Sequence, residues 1–207
     1  MVIPRAGRLG RTTVLLIWAA IVLVVAAIVA YRLILNSQGG PPPDSAAIVP
    51  FVSGYMVLMA ALLGLSLASH PRLVAARPAM LAAAAAGLML LGVFALFSIG
   101  LPIFIAGVLA AVAAVTIIAG GNSRTAMLSE VGAAVIAVLV LVGGFEITQR
   151  IIICPPTGTM GGGGSGFLTG AYHYRCANGT LTTYSGDCNG VTVGVDANGN
   201  PISANGC

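Results

Sequence analysis

Lysine is absent from this chain, and charge of either sign is scarce. Only 7% of its 207 residues are charged, against about 25% in an ordinary soluble domain. A deficit this deep excludes a water-facing surface over most of the length and makes lipid the main solvent. The nine basic residues are all arginine and lie scattered, so the net charge of +4 builds no basic patch and gives no signal for nucleic acid. An arginine-only, Ala- and Gly-rich composition fits a bacterial chain of high-GC coding.

Histidine occurs twice, at His70 and His173, in segments assigned below to opposite sides of a membrane, which excludes a bis-histidine haem site within the chain. No phosphate-cradling glycine loop precedes a helix, and no serine or cysteine nucleophile is accompanied by a base. Asp187 and Asp196 stand in turn contexts that favour aspartate for structural reasons. The residues therefore point to no catalytic site, no cofactor and no metal, and the chain reads as not an enzyme. Cysteine is missing before residue 154, which bears on topology.

What is present in quantity is apolar sequence, 58% of the chain. The stretch Ala79 to Ala119 holds two uncharged runs separated by Gly100-Leu101-Pro102, each near the roughly 20 residues that cross a bilayer as a helix. It reads as a transmembrane hairpin. Around it stand three further spans, giving expected helices at 13–35, 50–69, 79–99, 102–119 and 126–148. Pro50, Pro78 and Pro102 each precede an apolar run, where a proline at the first helical position loses no hydrogen bond. Asn36 to Ala47, with Gly39-Gly40-Pro41-Pro42-Pro43 inside it, cannot propagate a helix. The first span follows Arg5, Arg8 and Arg11 in a cytoplasmic segment, 1–11. Val25-Ala26-Ala27 loosely fits a signal-peptidase site, but the run continues well past it and exceeds a signal core, so an uncleaved helix is expected.

Arginine sets the orientation. With the N-terminus inside, Arg5, Arg8, Arg11, Arg72, Arg77 and Arg124 are cytoplasmic, and Arg32, Arg150 and Arg175 lie outside. This obeys the positive-inside bias and predicts a multi-pass plasma (inner) membrane protein with its C-terminus outside. The second, third and fourth spans carry no ionisable group. Glu130 sits in the first turns of the fifth, where the helix dipole favours a carboxylate. Glu146 and Arg150, four apart, face one another near its other end and form a candidate gate or partner contact.

Small residues recur every four positions, at Ala60-Gly64-Ala68, Ala79-Ala83-Gly87 and Ala106-Ala110-Ala114. That spacing lets helix backbones approach, so Gly64 and Gly87 are candidate packing or interface positions. The phenylalanines and tyrosines of the spans, among them Phe51, Tyr55 and Phe145, gather in the outer half, as in an interfacial belt.

Beyond the spans, 154–166 is Pro- and Gly-rich and reads as a flexible linker. Residues 167–207 read as a small β-rich extracytoplasmic domain, with strands over Tyr172-His173-Tyr174, Thr180 to Ser185 and Val191 to Val195, and a hairpin turn at Asn198-Gly199. Asn178-Gly179-Thr180 matches a glycosylation sequon. So short a segment needs covalent staples. The oxidising side of the membrane allows them at Cys154, Cys176, Cys188 and Cys207, whose closest spacing of twelve does not suit zinc. The turn lies between Cys188 and Cys207, which pairs those two and leaves Cys154 with Cys176.

The fold class expected is thus an all-α polytopic bundle of five transmembrane helices with a disulfide-stapled β-rich domain. Its partners are the lipid bilayer and either another membrane protein or a second copy. An accessory or scaffold subunit fits these features first. A small transporter or channel component, working as an oligomer, fits second.

Overall fold

The computed structural model describes residues 9–37, 47–96, 99–118, 124–166, 168, 170–185, 194–195 and 201–203. Five helices dominate: α1 (Arg11–Ser37), α2 (Ile48–Ser66), α3 (Pro71–Phe94), α4 (Gly100–Ile118) and α5 (Arg124–Thr148). Three strands follow, β1 (Thr159–Gly166), β2 (Gly170–Ala177) and β3 (Thr180–Ser185), then a short pair, β4 (Gly194–Val195) and β5 (Pro201–Ser203). By length and composition all five helices suit a membrane span. Even α2, with 19 residues, is about 28 Å long, close to the ~30 Å hydrocarbon core.

The chain divides into two compact units, one of Met1–Gly39 with Val52–Val142 and one of Gly40–Phe51 with Gly143–Cys207. In the first, α4 packs against both α3 and α1. One stripe of α1 is buried, through Thr13, Ile17, Ala20, Val24 and Ala27. The Thr13 and Thr116 hydroxyls meet at 3.2 Å, a polar contact between helices of the kind favoured where water is absent. The opposite stripe of α1 is apolar too and exposed, with Leu15, Trp18, Val22, Val25 and Val29. A helix that is apolar on every face belongs in a core or in lipid.

The α3–α4 hairpin is closed by glycine. A Cβ placed on Gly92 would stand 2.6 Å from Phe104 N, and one on Gly107 would stand 2.7 Å from Met89 N. The two helices therefore approach backbone to backbone. On α3, Gly87 is buried, and a Cβ there would meet the Tyr55 hydroxyl and lie 3.0 Å from Met59 Sδ. That same hydroxyl donates to Ala137 O at 2.9 Å. Gly64 differs: it is exposed, and an added Cβ meets nothing within 4 Å. The close approach expected at Gly64 is not made within the described residues, because that side of α2 is turned away from its neighbours.

Helix ends depart from the sequence reading most at α3. It begins at Pro71, not Ala79, and Pro78 lies inside it. Pro71 takes the early position that needs no donor, while Pro78 gives up one bond to the Val74 carbonyl. Arg72 and Arg77 thus belong to the helix, which corrects the expectation that this span has no ionisable group. Arg77 is buried and its Nη2 donates to Ala68 O at 2.7 Å, placing a cation just past the C-terminal end of α2, where the helix dipole favours it. The α3 helix also stops at Phe94, and α4 starts at Gly100; Gly100 N closes the turn on Ala95 O at 2.8 Å.

In the second unit β1, β2 and β3 form one antiparallel sheet in that order. The expected flexible linker is partly this sheet: Thr159–Gly166, including the whole glycine run, is β1. Across the ladder Gly162 faces Tyr174 and Gly164 faces Tyr172. A Cβ at either glycine would sit 2.7 Å from the facing tyrosine hydroxyl. The missing side chains are the space into which the tyrosine rings fold, an aromatic cover over an otherwise bare strand. The β2–β3 turn is Asn178-Gly179, with φ of 47° and 80° and Ala177 paired with Thr180. Positive φ at both central residues is the type I′ hairpin turn, for which Asn-Gly is the favoured pair. The residues of the sequon are therefore a structural turn. The strands β4 and β5 pair antiparallel on either side of Asn198-Gly199; that turn, with Cys188 and Cys207, lies outside the described residues.

Candidate functional site

The side chains singled out near the end of α5 gather into one polar cluster of the second unit. A helix end leaves its last carbonyls without intrahelical donors. Here Gln149 N still makes the helical bond to Phe145 O at 3.0 Å, and the chain then tightens, with Arg150 N donating to Ile147 O at 3.2 Å. Thr148 Oγ1 donates to Gly144 O at 2.7 Å. The Tyr172 hydroxyl, arriving from β2, donates to Gln149 O at 2.5 Å. The sheet thereby supplies a cap that the helix sequence lacks.

Glu146 lies two residues before the end of α5 and is 8% exposed. Its Oε1 accepts the Leu168 N–H at 2.8 Å, and its Oε2 accepts from Gln149 Nε2 at 3.2 Å. Both oxygens are engaged, as a buried carboxylate requires. The Arg150 guanidinium lies 5.8 Å from the centre of the Tyr172 ring, within the range of a cation–π contact. Glu146 and Arg150, expected as a facing pair, are placed in the same cluster. The one holds Leu168, between β1 and β2, and the other covers the tyrosine that caps the helix.

A covalent tie completes it. Cys154 and Cys176 form a disulfide with a Cα–Cα distance of 5.4 Å, joining the segment after α5 to β2, and Cys176 is fully buried. Beneath, Phe51 and Phe145 meet edge to face at 5.6 Å between centroids, and Phe51 lies over Gly144, where a Cβ would strike its ring. Sequence reasoning reached Glu146, Arg150 and the cysteines but passed over Tyr172, Gln149 and Leu168. The signal available for Tyr172 was its alternation with Tyr174 opposite a run of bare glycines.

His173 is exposed on β2, opposite Gly163. Among the described residues no three His, Cys, Asp or Glu side chains are grouped to hold a metal ion. Two of these bonds, Leu168 N to Glu146 Oε1 and the Tyr172 hydroxyl to Gln149 O, join the sheet to the end of α5, while the Thr148 and Gln149 side chains bond within α5 and its end. Comparison of the chain with protein-family models, curated proteins and solved structures finds no match.

Removing the Glu146 carboxylate tests this geometry. Glu146→Ala leaves the Leu168 N–H without its charged acceptor, a loss of at most about 1.5–3 kcal/mol for a partly buried bond. Hydrogen exchange at the Leu168 amide is expected to accelerate accordingly, with exchange in the body of α5 unchanged. Equal Leu168 exchange in both proteins would remove the clasp role from Glu146.

Proposed function

We propose that this protein is an integral membrane accessory or scaffold subunit without enzymatic activity. Its helices sit in the plasma (inner) membrane with the N-terminus in the cytoplasm, and its sheet is presented on the opposite side to a membrane-protein partner. The observation that carries this reading is the use of the conspicuous polar side chains. Glu146, Gln149 and Tyr172 join the sheet to the end of α5, and the Cys154–Cys176 bond fixes it there. Fixed attachment suits a presented contact surface, since a preorganised surface loses little freedom on binding. The arginine asymmetry supports the orientation, and a disulfide suits an oxidising compartment.

One observation favours a second reading, a small transporter or channel component working as an oligomer. Glu130 on α5 is 7% exposed, and its Oε1 has no hydrogen-bond partner among the described residues. Ionisable groups inside a membrane segment mark ion and proton pathways.

Isolation from the native membrane in a mild detergent separates the two. The accessory reading predicts a larger membrane protein in fixed stoichiometry. A homo-oligomer that conducts solute in liposomes, and loses flux in Glu130→Gln, would overturn it in favour of transport.

A further inference from the structure

We infer that Leu168, between β1 and β2, is an interfacial lipid anchor, seated at the headgroup–acyl boundary on the sheet's side of the membrane. The inference rests on the membrane reading above and adds a depth to it. Leu168 is 73% exposed although its backbone is held: its N–H is bonded to Glu146 Oε1 at 2.8 Å. Glu146 lies inside the apolar span Met127–Thr148, two residues from its end, or about 3 Å along the helix axis. A short side chain and one hydrogen bond therefore hold the Leu168 backbone at the level of the last turn of α5. In water a leucine so presented would face solvent at a loss. At that level it meets lipid.

The surrounding surface agrees. Ile147 on α5 and Ile151 and Ile153 just beyond it are all exposed, so exposed apolar side chains continue past the helix end into the segment that leads to the sheet. This continuity selects a lipid surface as the occupant, since the same leaflet already faces Ile147. The arrangement also gives Glu146 its shield. A carboxylate this near the hydrocarbon edge needs both oxygens satisfied, and Leu168, which supplies one donor, is kept in place by its own apolar contact with the membrane.

The chain has a single tryptophan, Trp18, which is exposed on α1 and reports insertion of the bundle. In phosphatidylcholine proteoliposomes containing a brominated-chain lipid, the wild-type protein tests the membrane reading alone. The anchor is tested by Leu168→Trp in a Trp18→Phe background, with Thr182→Trp, at an exposed position on β3, in the same background as the sheet control. The expected result is strong quenching of position 168 by brominated lipid and severalfold weaker quenching by aqueous iodide than at position 182. Adding Glu146→Ala to the Leu168→Trp protein is expected to raise its iodide quenching. If Trp18 is quenched by the lipid but positions 168 and 182 respond alike to iodide, the anchor is overturned and the membrane reading stands. If Trp18 itself escapes the lipid quencher, both fall.

Discussion

Replacing Gly92 by leucine is expected to abolish the α3–α4 hairpin and with it the monodisperse protein in detergent. The atoms nearest an added Cβ are Phe104 N at 2.6 Å and Phe104 Cα at 2.7 Å, and backbone cannot rotate aside as a side chain can. Overpacking of an ordinary core costs about 1–3 kcal/mol. Here the whole interface between α3 and α4 must separate, so the loss is expected at or above the top of that range, a large part of the ~5–15 kcal/mol that holds a typical fold. Gly107→Leu, against Met89 N, is expected to behave alike. Gly64→Leu is the control: open space around that Cβ predicts a change within about 0.5 kcal/mol. Melting temperature and elution profile in one detergent read all three. Equal stability of Gly92→Leu and Gly64→Leu would show that the close backbone approach does not exist.

The second large effect follows from the disulfide. Cys154 and Cys176 are 22 residues apart, and closing a loop of that size stabilises by about 3 kcal/mol in the chain-entropy picture. The three-stranded sheet is too small to bury a core of its own, so this is a large share of its stability. Reduction, or Cys176→Ser, is expected to open β1–β3 to rapid hydrogen exchange and protease while the five helices keep their protection, since helical hydrogen bonds are satisfied within each segment. Unchanged protection at Gly161–Ser165 after reduction would contradict this. Non-reducing peptide maps also address the other pair: Cys188–Cys207 is expected, and a Cys176–Cys188 link would refute the pairing.

How far the sequence foretold this fold depends on the kind of interaction. The apolar runs located all five helices, because length and hydropathy alone decide whether a segment suits a bilayer. Their ends were harder to place. Pro71 and Pro78 are equally good starts by local chemistry, and the Arg77 contact with Ala68 O accompanies the longer helix. Helix rotation was not legible either. Gly64 and Gly87 share the same small-residue spacing, yet one is open and the other lies under Tyr55; a helix apolar on every side carries no pattern that says which side meets a neighbour.

The glycine run was misread for a related reason. Four glycines have the composition of a linker, and what makes them a strand is Tyr172 and Tyr174 on the adjoining strand. Asn178-Gly179 could have been recognised, since both flanking segments alternate. The cysteine pair 154–176 followed from elimination once the Asn198-Gly199 turn was assumed. By contrast, the Glu146–Leu168 bond joins residues 22 apart through backbone on one side, and no residue type announces it.

The central claim is that α5 crosses the membrane and delivers the sheet to the side opposite the N-terminus. Paired reporter fusions, one after Asn122 and one after Gly166, test it most directly. The account predicts a cytoplasmic signal from the first and an extracytoplasmic signal from the second. The same side for both would contradict it.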